Sequence, residues 1–381
     1  MANTHRPHPT DTVAQVMSNV SALLPEIHQV AGQIESARTL LPSVVAALRR
    51  AGCLRMVTPV EFGGLGCTQH ELFNLIELLA SADASVAWTV MIFSSGPPFL
   101  SRFPEATFRS VYAAGPDIAM AALLSPSGVA TVVPGGYRVS GRWRWASGSE
   151  YADGLVCTCR VLPQGMRLVL LAPSEIERLD TWHVSGLKGT GSGDIVVDDV
   201  FVPEARTAEP YAPLPSARRF AVAAAIAPYF TSVALGIAQG ALQDAIDLAR
   251  ADKRRLAASR RMADDPLVQH RLGEADALLR AARTAFYGEV DGWEAFVRAL
   301  PLEVPVTSRP ELQSLNATAV WAMQSATSVV NTAYHCCGGS SVWEDAALQR
   351  RFRDIHVATQ HIAVTDAVFA RQGAALMGGT S

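Results

Sequence analysis

The sequence predicts an α+β fold in three consecutive segments: helical, then β, then helical. Three observations carry this. Over about residues 11–100, apolar residues recur at i, i+3 and i+4, the spacing of an amphipathic helix face. Over about 118–208 they alternate in short runs broken by Gly, Ser and Asp, the pattern of half-buried strands. Over about 216–377 long helical stretches return, four in all, enough for a four-helix bundle. The segment boundaries fall at 1–117, 118–208 and 209–381.

Each element has a local reason. The first ten residues, with His5, Pro7, His8 and Pro9, read as a loose tail. The helical pattern that follows ends at Gly52, a C-cap candidate because glycine alone takes a left-handed conformation without strain. Gly63-Gly64 make a turn, and Thr68 is placed to cap the amphipathic stretch 72–82. In the β segment, Pro134-Gly135-Gly136 reads as a hairpin turn. Asp265 before Pro266 is a helix start, since proline at the first helical position loses no hydrogen bond. The last stretch, 348–378, reads as one long helix.

Composition narrows the function classes. A chain of 381 residues can bury a large core, and 18% charged residues exclude a disordered polyelectrolyte. The net charge of −3 gives no basic field, so nucleic acid is not an expected partner. No apolar run is long enough to span a bilayer, so no membrane partner is expected either. The cysteines are Cys53, Cys67, Cys157, Cys159, Cys336 and Cys337. They form no C-x-x-C pair, and adjacent Cys336-Cys337 would make a strained disulfide. With no signal-peptide pattern, they read as reduced thiols of a cytoplasmic protein. There is no P-loop, no G-x-S-x-G and no metal-ligand cluster, and the glycines of 186–194 do not open a helix after a strand as a dinucleotide turn would.

The informative stretch is 334–361, where Gly338-Gly339 interrupt a helical pattern and a helix rich in Arg and His follows. On spacing alone, that helix is a solvated, salt-bridged face with Arg350 and Arg353 one turn apart. The residues themselves say more. The run CCGGSSVWEDAALQRRFRDIHVATQH (336–361) resembles the C-terminal signature of proteins with the acyl-CoA dehydrogenase fold. More narrowly, it is similar to the reduced-flavin-dependent, two-component monooxygenases built on that fold. Their motif runs Gly-Gly, a short loop, Leu-x-Arg-x-x-Arg-Asp-x-His, then Gln-His. The N-terminal segment with Gly63, Gly64 and Gly66 resembles the same fold.

The resemblance implies an N-terminal helical domain, a central β-barrel domain and a C-terminal four-helix bundle. It implies reduced FMN or FAD supplied by a separate flavin reductase, a C4a-hydroperoxide as oxygenating species, and an aromatic or amine small molecule as substrate. It implies a homotetramer, which would also cover the apolar helix around 221–242. It places Trp143, Ser147 and Gly148 against the flavin, with Trp145 in the same segment. Gly189, Thr190, Gly191 and Ser192 would meet the ring and ribityl chain, and Gly338 and Gly339 would also contact the cofactor. Arg260 and Gln269 would reach its phosphate end. His361 falls against the reactive edge, where an imidazole can stabilise an oxygen adduct or move a proton, with Ser147 approaching the same edge. Seven residues apart on one helix, Asp354 and His361 should face the same way.

The alternative is a dehydrogenase acting on an acyl thioester. It needs a carboxylate base, for which Asp345 or the neighbouring Glu344 is the candidate. The dehydrogenase pattern Arg-x-x-Phe-Gly is missing. One departure concerns the monooxygenases: many phenol-hydroxylating relatives carry a second His after a D-x-S-x-x-W segment, and here Phe93, Ser94 and Ser95 follow instead. A third possibility is a degenerate member that only binds.

Overall fold

A computed structural model describes residues 12–163, 165–210, 225–251, 260–300 and 309–378. The loose tail expected at the N-terminus and the part of the apolar helix before residue 225 lie outside them.

The N-terminal segment is helical: α1 (Val13–Ala37), α2 (Pro42–Ala51), α3 (Gln69–Ala82), α4 (Ala84–Ser95), α5 (Pro97–Leu100) and α6 (Glu105–Val111). Gly52 caps α2 at φ 91°. Thr68 caps α3 through a full capping box with Glu71, each side chain satisfying the other's exposed backbone N–H. The Asp83 side chain caps α4 by accepting from the Val86 N–H.

The middle segment is one sheet of β1 (Met120–Val133), β2 (Gly136–Trp143), β3 (Gly154–Val161), β4 (Met166–Leu171), β5 (Glu177–Leu179), β6 (Asp194–Pro203) and β7 (Thr207–Ala208). The order is β5-β6-β2-β1-β3-β4-β7, antiparallel except for the β1–β3 pair. The hairpin predicted at Pro134-Gly135 pairs Val133 with Gly136. The expected barrel is instead an open ladder among the described residues. Its two edge strands, of three and two residues, offer too few hydrogen bonds to close on each other. The sheet keeps its own core, with Trp143, Leu155, Val169 and Ile195 on one side. On the other side Met120, Val156 and Leu168 pack under Leu100, Phe103 and Phe108 of the α5–α6 region.

The last segment holds α7 (Ala227–Arg250), α8 (Pro266–Ala299), α9 (Pro310–Cys337), α10 (Ala347–Ala358) and α11 (Ala367–Leu376). Asp265 caps α8 with Pro266 in the first turn, as predicted. Two expectations change. The fourth long helix is split: α10 stops at Ala358, and Thr359-Gln360-His361 lead into a short 3-10 turn before α11. And α7 needs no second subunit to cover it. It is buried along most of its length between α3, α9 and α10 of the same chain, in a core shared by both helical segments.

Close approach makes that core work. A Cβ on Gly236 of α7 would stand 2.2 Å from the Glu77 carbonyl oxygen of α3 and 2.5 Å from the Ala80 Cβ. Gly288 of α8 has nothing within 4 Å of an added Cβ. Gly236→Ala is therefore expected to cost about 1–3 kcal/mol by overpacking. Gly288→Ala should be neutral or stabilise by up to about 1 kcal/mol through helix propensity. Urea denaturation of the two variants checks both signs at once.

Candidate active site

The register of one strand pair assembles the first half of the site. β2 runs out at Trp143, opposite Ile195 near the start of β6. The turn after β2 and the loop before β6 must therefore meet, and the Ala146 N–H donates to the Gly193 carbonyl at 2.9 Å. Ser147 and Ser192 then face each other, hydroxyl to hydroxyl at 2.6 Å. Ser192 in turn lies 2.7 Å from the Thr190 hydroxyl, which donates to the Leu187 carbonyl at 2.8 Å. From the other side, the Trp88 indole N–H of α4 donates to Ser147 Oγ at 3.2 Å. All three hydroxyl residues are buried. Gly148 has φ 76°, and a Cβ there would lie 2.8 Å from Phe93, so the turn tolerates only glycine.

Trp143 and Trp145, two residues apart, do not share a strand face. The strand ends at Trp143, which is fully buried in the sheet core and donates its indole N–H to the Thr158 carbonyl. Trp145 takes φ 58°, a strained conformation for a bulky side chain, and stands 69% exposed beside the Ser147 turn.

His361 supplies the second half. Because α10 ends three residues earlier, His361 does not share a face with Asp354. It caps the following 3-10 turn, its Nδ1 accepting the Ala363 N–H at 3.2 Å. Its ring stacks on Phe230 of α7 at 3.8 Å between centroids and meets Trp88 edge-on at 6.3 Å. Trp88 thus touches both Ser147 and His361. Burial pushes the His361 pKa down to about 4, so the ring is neutral near pH 7. With Nδ1 used as acceptor, the proton of the neutral ring sits on Nε2.

Asp354 works from the opposite side of the loop. Buried on α10, it accepts the Leu187 N–H at 2.6 Å, and Leu187 holds φ 51°. Burial lifts its carboxyl to about 7; the Asp83 charge adds to the rise, while the Leu187 N–H, Arg350 and Arg353 oppose it. Neighbouring α10 arginines tie the helix down, Arg351 to Asp244 and Arg353 to Glu35. A Cβ at Gly186 would fall 2.4 Å from the Arg353 carbonyl, so the loop lies directly on α10.

The remaining predicted residues lie elsewhere. Gly338 and Gly339 are exposed at the end of α9, with open space around both. Arg260 and Gln269 are exposed at the start of α8, where Gln269 donates to the Ala263 carbonyl. Glu344 and Asp345 are exposed on the turn before α10. Sequence reasoning assigned no role to Trp88 or Phe230. Trp88 had a signal, as the Trp of the D-x-S-x-x-W run from Asp83; Phe230 had none beyond an apolar helix. Two openings flank the cluster. One, of about 330 Å³, touches Ser149, Gly191 and Gly193; the other, of about 250 Å³, touches Thr359, Gln360 and Val364.

Among the described residues no group of His, Cys, Asp and Glu could hold a metal. The set of a hydroxyl with a spare acceptor site, a neutral imidazole and an exposed indole suits a flat, hydrogen-bonding heterocycle, as a flavin is. Family models for the acyl-CoA dehydrogenase N-terminal and C-terminal domains match residues 11–112 and 229–366. That defines the class, acyl-CoA dehydrogenase-like proteins. Two relatives refine it. The chain is 31% identical to an indole-3-acetate monooxygenase of Pseudomonas putida over 91% of this chain and 90% of that protein. It is 31% identical to the oxygenase component of an FADH(2)-dependent resorcinol hydroxylase of Rhizobium sp., over 98% and 97%. The HsaA monooxygenase of M. tuberculosis superposes with a TM-score of 0.83 at 26% identity, over 97% of this chain and 98% of that one. The chain belongs to the flavin-dependent monooxygenases built on this fold, as an oxygenase component.

The state of His361 is testable. Its folded pKa lies below the ordinary 6.5, so the unfolded chain takes up the proton first. Its contribution to stability is full above about pH 6.5 and is lost as pH falls toward about 4. Imidazole ¹⁵N spectra, assigned against His361→Gln, should show a neutral ring protonated on Nε2 and unchanged from pH 8 to 5.5. Titration near 6.5 would refute this.

Proposed function

We propose that the reactive edge of a reduced flavin binds between Ser147 and His361, and that an aromatic small molecule is oxygenated there. The observation that carries this is Trp88, which contacts both residues and so fixes their separation. The bound flavin would supply two electrons to O2, so that one oxygen atom enters the substrate and the other leaves as water. The chain's own residues position and protect. Ser147 holds one flavin edge. His361, neutral, offers its Nε2–H as a hydrogen-bond donor to that edge, because burial keeps the ring from taking up a second proton near neutral pH. Phe93, Trp88 and Phe230 are buried aromatic walls that exclude water. Trp145, exposed beside Ser147, is placed to cover the ring face.

A separate reductase as flavin source is supported by the resorcinol hydroxylase relative being one component of its enzyme, and FAD is favoured over FMN because that relative is FADH(2)-dependent. The substrate is an aromatic ring that needs no deprotonation, since Phe93, Ser94 and Ser95 put no base where phenol hydroxylases carry a histidine. Arg260 and Gln269, both accessible, would reach the phosphate end of the cofactor, and Gly338 and Gly339, also accessible, would contact it. A homotetramer now rests on the resemblance and on exposed Val342, Trp343 and Ile362, not on α7. A cytoplasmic setting is in keeping with six free cysteines.

His361→Ala should lower the rate of product formation about 10²-fold or more while reduced flavin is still oxidised, giving uncoupled turnover. The measurement is product formed per reduced flavin consumed. Asp345→Asn should couple as the parent does. Loss of activity in Asp345→Asn alone, without any need for oxygen, would establish the dehydrogenase reading instead.

A further inference from the structure

The hydroxyl chain behind Ser147 has a direction, and proton counting fixes it. A hydroxyl has one hydrogen. Thr190 gives its own to the Leu187 carbonyl, which can only accept. The 2.7 Å contact between Thr190 and Ser192 must then use the Ser192 hydrogen. The 2.6 Å contact between Ser192 and Ser147 must use the Ser147 hydrogen. The Trp88 N–H, a donor only, already points at Ser147 Oγ. The relay runs from Trp88 through Ser147, Ser192 and Thr190 to Leu187, with every proton committed. Ser147 is left with one acceptor site and nothing to donate.

From this we infer that Thr190 and Ser192 make the site select the redox state of its flavin. The inference rests on the reading that the flavin N5 edge meets Ser147. Reduced flavin carries a hydrogen on N5, which the spare lone pair of Ser147 accepts. Oxidised flavin presents a bare lone pair at N5, which needs a donor. Ser147 can donate only if the relay reverses, and reversal takes the Thr190 hydroxyl away from the Leu187 carbonyl. That carbonyl stays satisfied by the Thr190 N–H and the Trp182 indole, so the cost is one hydrogen bond. One buried hydrogen bond is worth up to about tenfold in affinity. Thr190 and Ser192 thus act through Ser147 as positioning residues. Asp354 extends the device, because its bond to the Leu187 N–H holds the last acceptor of the relay in place.

The test is the affinity for oxidised and for anaerobically reduced FAD and FMN, measured by titration calorimetry in the full-length protein. Thr190→Val keeps the shape of the side chain and removes the last hydroxyl. Ser192 can then donate to Ser147, and Ser147 to oxidised N5. Oxidised flavin should bind up to about tenfold tighter, with reduced flavin nearly unchanged. Ser192→Ala, which leaves the Ser147 proton without an acceptor, should act the same way. Equal weakening of both redox states, or a preference equal to the parent's in both variants, overturns the inference. Ser147→Ala separates it from the reading beneath: it should weaken reduced flavin and abolish the preference. If Ser147→Ala changes neither affinity, the flavin edge is not at Ser147 and both fall. If it weakens reduced flavin while Thr190→Val and Ser192→Ala leave the preference intact, only the relay fails.

Discussion

The pairing of β2 with β6 is the constraint on which the site depends. Antiparallel strands bring the exit of one beside the entrance of the other. Once Trp143 lies opposite Ile195, the next few residues after β2 and before β6 have nowhere else to go. A slip of one residue would turn Ser147 away from Ser192, since alternate residues face opposite ways. The buried Trp143 makes such a slip costly. Its ring fills the space a Cβ would need at Gly128 on β1, so it locks three strands together. Trp143, buried in the sheet core, thereby holds the register of the turn that carries Ser147.

A second constraint works at right angles to the first. The 186–192 loop leaves the sheet and must be held against the helices. Asp354 does this by accepting a single hydrogen bond from the Leu187 backbone N–H, and the absence of a Cβ at Gly186 lets the loop lie on α10. Arg351 and Arg353 reach past it to Asp244 on α7 and Glu35 on α1. The motif legible as Arg-x-x-Arg-Asp is thus a clamp between sheet and helices, and its aspartate reaches the hydroxyl relay through the backbone.

Much of this was legible in the sequence. Caps at Gly52, Thr68 and Asp265 follow from local chemistry that tertiary structure did not override. Ser147, Thr190, Ser192 and His361 lie in motifs of distinct composition, and the fold brings Ser147, Ser192 and Thr190 into one chain. What was not legible has physical causes. The stop after Ala358 contains no Gly or Pro, so helical periodicity ran straight through it, and the side of His361 was misread. The open sheet follows from edge strands too short to leave a pattern. The cover over α7 comes from α3, more than a hundred residues earlier, which periodicity within one window does not register.

That shared core has a consequence for how the chain is made. The sheet segment packs around its own interior. The N-terminal helices share theirs with the last segment, because α3 packs along α7 as well as against α1 and α4. During synthesis, then, the first third of the chain leaves the ribosome with an apolar face that nothing yet covers, while the middle third can already collapse. The helical parts form one discontinuous folding unit closed by late, long-range contacts, which slows folding relative to local helical hairpins. The inserted sheet shortens the wait: once folded, it brings the ends of the two helical segments back toward each other and lowers the entropy lost when α3 finds α7.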